Sequence, residues 1–164
     1  MPLCLDVGCG VNVRPGFTGI DAYVQGDNIV NAQMWDLPYK DNTVDEIYCS
    51  HALEHVPKRA VGACLHEFWR VMKPGALLTI LVPDLEWCCR AWLEHKSNDW
   101  FMDIIFGNQD HQGEFHLTGF NQRIMVGYLE AAGFKGDLRF GDVNSHDQKT
   151  LVFQINKQAA TNEG

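Results

Sequence analysis

Apolar positions along the chain fall into short extended runs alternating with helical stripes. Leu3 to Val7 is an apolar run broken by Gly8 and Gly10, and Thr18 to Asp21 and Asn28 to Ala32 are two further short extended stretches. Val44 to Ser50 follows the turn residues Lys40-Asp41-Asn42 and reads as a stronger strand. Over Lys58 to Met72, Val61, Leu65, Phe68 and Val71 share one helical stripe, which Lys73-Pro74-Gly75 is expected to stop. Ala76 to Val82 is continuously apolar, as in a strand buried on both faces. Two aromatic-rich helical stretches are predicted between Asp84 and Phe106, interrupted near Lys96-Ser97-Asn98. A polar loop, Gly107 to Gly119, leads to a helix over Asn121 to Ala132 that Gly133 closes. Leu138 to Phe140 and Thr150 to Ile155 are the last strands. Gly141 to Lys149 is too short for a helical crossover, so these two are expected to pair antiparallel.

Strands alternating with helices predict an α/β sheet, mostly parallel, with a C-terminal antiparallel hairpin. The pattern predicts a single domain over 1–157 and a frayed tail over 158–164. The link from Gly10 to Thr18 is shorter than the dozen or so residues a parallel crossover usually needs, and is expected to be a single helical turn. A net charge of -8 and a pI near 5.2 argue against a nucleic-acid partner or an anionic membrane surface, both of which call for clustered Lys and Arg. None of the six cysteines shows C-x-x-C spacing, the N-terminus lacks a secretory pattern, and no apolar run approaches a membrane span. A cytoplasmic protein with free thiols, acting on small molecules, is the expectation.

Open α/β sheets bind ligands outside the carboxyl ends of their strands, which directs attention to Gly8-Cys9-Gly10. A dinucleotide fingerprint would carry a third glycine where Val13 stands, and Pro15 interrupts the long helix it needs. Alone, this loop allows a nucleotide site, a methyl-donor site or a bare turn. His51-Ala52-Leu53-Glu54-His55 fits the H-x-x-E-H pattern of inverted zinc hydrolases. That site requires a sustained helix, whereas Val44 to Ser50 reads as a strand and Pro57 leaves room only for a short helical segment. No metal ligand is therefore assigned, and a zinc hydrolase using His51 and His55 stays as an alternative.

An ordered series of motifs narrows the choice. It runs through Leu5-Asp6-Val7-Gly8-Cys9-Gly10, Gly19-Ile20-Asp21, Leu37-Pro38-Tyr39-Lys40-Asp41-Asn42-Thr43-Val44-Asp45, Leu53-Glu54-His55, and Glu67-Phe68-Trp69-Arg70-Val71-Met72-Lys73-Pro74-Gly75. Over most of its length the chain thereby resembles the class I S-adenosylmethionine-dependent methyltransferases of the type 11 family. Its Pro15-Gly16-Phe17 resembles a short branch often linked to polysaccharide biosynthesis.

The resemblance implies a Rossmann-like methyltransferase sheet with a shortened first crossover, and S-adenosylmethionine as cofactor. Gly8 and Gly10, with Cys9 between them, would admit the methionine and ribose portions, and Asp6 would fix the loop or reach the ammonium through water. Asp21 would accept from the ribose diol, and Ala22 and Tyr23 would lie near the adenine. Gln33 stands where the family has an aspartate for the adenine amino group, with the Met34 backbone beside it and Asp36 close by. Asn12 replaces a frequent third glycine. Ser50 and His51 would flank the transferable methyl. His51 is the first candidate base, and His116, in Gly113-Glu114-Phe115-His116-Leu117-Thr118-Gly119-Phe120, the second. His55 and His116 have structural readings as well, and Trp87, Trp92, Trp100 and Phe106 form either the core of the insert or an acceptor cage. The insert at about 84–119 would supply a lid unless a partner subunit does, which leaves a homodimer open. The implied activity is methyl transfer to a small-molecule or glycan acceptor; the alternative of another class is a cofactor-binding module without catalysis.

Overall fold

The computed structural model describes residues 1–94, 100–110, 112–145 and 148–159. The expected helix break near Lys96-Ser97-Asn98 and the tail from 160 onward lie outside the described residues. The elements are β1 (Cys4–Val7), β2 (Thr18–Asp21), β3 (Ile29–Asn31), β4 (Val44–Ser50), α1 (Lys58–Val71), β5 (Met72–Pro83), α2 (Leu85–Glu94), α3 (Trp100–Phe106), α4 (Gln122–Ala131), β6 (Arg139–Ser145) and β7 (Gln148–Asn156). The strands form a seven-stranded sheet in the order β3-β2-β1-β4-β5-β7-β6. Pairing is parallel from β3 through β5 and antiparallel where β7 meets β5 and β6.

Burial follows the apolar pattern. Leu5 and Val7 of β1, Val44 and Ile47 of β4, and Leu78, Ile80 and Val82 of β5 are fully buried. The stripe on α1 packs on this sheet through Val61, Cys64, Leu65, Phe68 and Val71. A smaller second cluster, Cys88, Ala91, Phe101 and Ile104, joins α2 to α3. Trp87 and Trp100 pack against that cluster, while Trp92 and Phe106 are exposed.

Two expectations need correction. The ten residues 8–17 between β1 and β2 contain turns and no helix, although β2 stands where predicted. Hydrogen bonds replace the helical crossover: Gly8 N–H and Cys9 N–H both reach the Ile20 carbonyl. Nor does Lys73-Pro74-Gly75 separate α1 from β5. Met72 is already extended and pairs with Val44, and the next residues bulge out before Leu77 pairs with Glu46. The buried Lys157 secures this junction, its Nζ donating to Asn42 Oδ1 and to the Trp69 and Met72 carbonyls, each at 2.7 Å.

Candidate active site

The carboxyl ends of β1 and β2 are joined by two carboxylates that accept from backbone. Asp6, 5% exposed, takes the Arg14 N–H on Oδ2 at 2.8 Å and so pins the loop leaving β1. Asp21 ends β2. Its Oδ2 accepts from Gly10 N at 3.0 Å, and its Oδ1 accepts from Tyr23 N and Val24 N at 2.8 and 2.9 Å. Burial pushes the Asp6 carboxyl up, opposed by the Arg14 N–H and guanidinium. The Cys9 thiol is pushed up to about 11 by burial and by Asp21 and Asp6, so it is a protonated neighbour and no nucleophile.

Gly8 sets how closely this loop meets the tip of β4. Its φ is +72°, and a Cβ there would sit 2.2 Å from the Ala52 Cβ. Only glycine satisfies both the left-handed conformation and that approach. Met34 Cε lies 3.7 Å from the same point, which brings Met34 to the loop. Gln33 is exposed, and its carbonyl accepts the Asp36 N–H at 3.0 Å. Asn31, which sequence reading passed over, donates through Nδ2 to the Asp21 and Ala22 carbonyls at 3.1 and 3.0 Å. The signal for it was positional: a short polar side chain at the end of β3, in register with Asp21.

Beyond β4 the chain turns sharply. Ser50 is half-buried and pairs with Leu81; His51 N–H then reaches the Leu81 carbonyl at 2.9 Å while its φ of +50° ends the strand. The His51 side chain is 41% exposed, with Nδ1 3.4 Å from Glu54 Oε1 and Nε2 3.4 Å from Thr150 Oγ1. Leu53–His55 is a single 3-10 turn, so the sustained helix of an inverted zinc hydrolase is not formed. The segment before α4 is strapped onto this turn. Leu117 N and Thr118 N both donate to the Glu54 carbonyl, at 2.7 and 3.0 Å, and Thr118 Oγ1 donates to the Val56 carbonyl at 2.6 Å.

This strap carries His116 to the turn. The His55 and His116 rings meet edge to face, 4.9 Å between centroids. Burial holds the His116 imidazole below the usual histidine range, with the Glu54 charge opposing. His51, Glu54, His55, Trp100, Asp103, Asn108, Glu114 and His116 thereby share one cleft of about 330 Å³. Gly107 makes the approach feasible: at φ +79°, a Cβ there would lie 1.7 Å from the Glu114 carbonyl oxygen.

Two of the recurrent motifs bind each other and serve architecture. Arg70 donates to both Glu67 oxygens, to Asp41 and to the Tyr39 and Leu37 carbonyls, and Glu67 Oε1 also accepts Leu37 N–H. The structure thus brings Asp6, Gly8, Cys9, Gly10, Asp21 and Ala22 together at one end of the sheet. His51 and His116 gather at the neighbouring tip.

A methyltransferase-domain family model matches residues 11–80. The cycloartenol-C-24-methyltransferase 1 of Oryza sativa subsp. japonica is 38% identical over 61 residues, covering 37% of this chain and 16% of that protein. The chain therefore spans less than a fifth of the curated relative's length. An S-adenosylmethionine-dependent methyltransferase of Methanosarcina mazei superposes with a TM-score of 0.68 at 20% identity, over 94% of this chain and 92% of that one. One from Archaeoglobus fulgidus gives 0.64 at 13% identity, over 95% and 86%. The [4+2]-cyclase SpnF gives 0.61 at 16% identity, over 97% and 76%, so the fold alone does not fix the reaction. Motif series, matched segment and sheet order point the same way: residues 11–80 are similar to the methyltransferase domain of the type 11 family, and the chain shares the fold of solved S-adenosylmethionine-dependent methyltransferases.

Proposed function

We propose that this chain transfers a methyl group from S-adenosylmethionine to a small-molecule or glycan acceptor. The observation that carries the reading is the Asp21 carboxylate, fixed by three backbone N–H groups at the carboxyl end of β2. It faces a loop in which the Gly10 α-carbon looks onto open space, with nothing within 4 Å of where a Cβ would stand. After these bonds Oδ2 keeps a free lone pair, which suits a ribose hydroxyl donor. Those residues fit the cofactor.

In this reading Gly8, Cys9 and Gly10 leave room for the methionine and ribose portions, and Asp6 acts by holding the loop. Ala22 borders the adenine, Gln33 accepts its amino group and the Met34 backbone flanks the ring. Bound S-adenosylmethionine supplies the activated methyl, while the protein aligns donor and acceptor. Ser50 and His51 border the acceptor. His51 is the base where the acceptor must lose a proton, since its imidazole is exposed to the cleft and oriented by Glu54. His116 is the second base. Helices α2 and α3 with the loop to Gly119 act as the lid on this side.

The acidic chain argues against nucleic acid as the acceptor. All six cysteines are free, which supports a reducing, cytoplasmic setting. Among the described residues no helix is long and apolar enough to cross a membrane. The test is calorimetry with S-adenosylmethionine and its demethylated product. Asp21→Ala is expected to weaken binding of both by about 2–3 kcal/mol, roughly 30- to 150-fold, as loss of charge-assisted hydrogen bonds does. Unchanged affinity overturns the ribose assignment. Binding without turnover across an acceptor panel favours a module that only holds the cofactor.

A further inference from the structure

Glu54 is a buried carboxylate without a hydrogen-bond partner. It is 2% exposed, and both oxygens are unsatisfied. Its nearest basic neighbour, His51 Nδ1, stands 3.4 Å from Oε1. Burying a carboxylate in this state is unfavourable unless a cation joins it. The side chain points at two imidazoles. One ligand atom each from Glu54, His55 and His116 lie within 4.8 Å of one another.

The two imidazoles are held as metal ligands are held. His55 Nδ1 faces the Phe115 carbonyl at 3.2 Å, and His116 Nδ1 faces the Ile104 carbonyl at 2.7 Å. A carbonyl only accepts, so each Nδ1 carries the proton and each Nε2 keeps a lone pair. Backbone carbonyls fix tautomer and ring orientation in this way around bound metals. The surrounding charge agrees: the cleft is lined by Glu54, Asp103 and Glu114, with no lysine or arginine among its described lining.

We infer that Glu54, His55 and His116 form a binding site for one divalent transition-metal ion, with an open position toward the cleft for water or an acceptor oxygen. Two imidazole nitrogens and a carboxylate oxygen make a set that suits Zn²⁺ and its Co²⁺ analogue. With metal–ligand bonds of about 2.1 Å, tetrahedral neighbours stand roughly 3.4 Å apart, so the trio, now within 4.8 Å, closes by roughly 1.4 Å at its widest. This differs from the H-x-x-E-H helix of a zinc hydrolase. His51 is not among the three, Glu54 is a ligand, and the third ligand arrives from the strap beyond α3. The site shares Glu54 and His116 with the acceptor side of the methyl-transfer reading but uses neither Asp21 nor the glycine loop, so metal binding and cofactor binding can fail separately.

The test is titration of the metal-stripped 164-residue chain with ZnCl₂ by calorimetry and with CoCl₂ by visible absorption. One ion per chain is expected, with Co²⁺ bands of a nitrogen–oxygen site and no thiolate charge-transfer band. Glu54→Gln and His116→Ala should each weaken binding by roughly 100-fold or more. Circular dichroism melts check that each variant folds, and His116→Ala, on a half-buried loop, keeps the test open should Glu54→Gln not fold. Absence of binding overturns the site. So does a thiolate band, which would place the ion on the free cysteines, or affinity unchanged in a folded variant.

Discussion

The two sides of the sheet's carboxyl edge are built by opposite means. At β1 and β2 the geometry is local: Asp6 and Asp21 accept from backbone N–H groups no more than eleven residues away along the chain. At the tip of β4 it is long-range. The strap reaches the 3-10 turn across about sixty residues, from Leu117 and Thr118 to Glu54 and from Thr118 to Val56. The first side is held by contacts within one short stretch of chain, whereas the second depends on the strap that follows α2 and α3. Cofactor affinity should follow the first side and acceptor or metal affinity the second, and each can be perturbed alone. Gly8 is where they touch.

Gly8→Val therefore has the largest expected effect, because it strikes both sides. The left-handed conformation costs a β-branched residue about 1–2 kcal/mol, and overlap with Ala52 adds about 1–3 kcal/mol. A loss of about 2–5 kcal/mol in urea denaturation is expected, with cofactor and metal affinity falling together. Loss of cofactor binding alone would show that the two sides do not meet through this contact.

This contrast also accounts for what the sequence disclosed. The first side was readable because its code is local: glycines after an apolar run, and an aspartate closing the next. The long apolar run Ala76 to Val82 and the α1 stripe were readable for the same reason. The connection 8–17 was misread as helical because the length rule for crossovers does not count backbone bonds such as those from Gly8 and Cys9 to Ile20. The trio Glu54, His55 and His116 was not readable at all. His51 and His55 have the spacing of a metal pair, yet only the folded strap reveals that His116 replaces His51. No periodicity encodes a meeting between residues 55 and 116.

Thr118→Val tests the second side with a smaller expected effect. The substitution keeps the shape but removes the 2.6 Å bond to the Val56 carbonyl, leaving that acceptor without its side-chain partner. A stability loss of about 1–2 kcal/mol is expected. The strap that carries His116 should loosen, so metal affinity falls while S-adenosylmethionine affinity stays at the parent value. A fall in cofactor affinity of the same size would mean that the strap also supports the glycine loop.

The smallest effect is expected at Asp6, where it separates geometry from charge. Asp6 holds the loop by accepting the Arg14 N–H, and an amide oxygen can accept the same bond, though without the charge. Burial raises the Asp6 carboxyl above its ordinary value, so the folded state holds the proton more tightly than the unfolded one. The contribution of this group to stability is therefore full below its unfolded value of roughly 3.9 and is lost as pH rises through the higher folded value. At neutral pH the ionised carboxylate is carried at a cost that asparagine avoids. Asp6→Asn should consequently lie within about 1 kcal/mol of the parent, on the stabilising side at pH 7, and should lose that advantage by pH 3. Parallel stability curves for parent and variant would show that burial does not penalise the charge. A clear loss at pH 7 would show instead that the Arg14 contact depends on that charge, and the local side of the edge would then be electrostatic in origin and not a matter of backbone geometry.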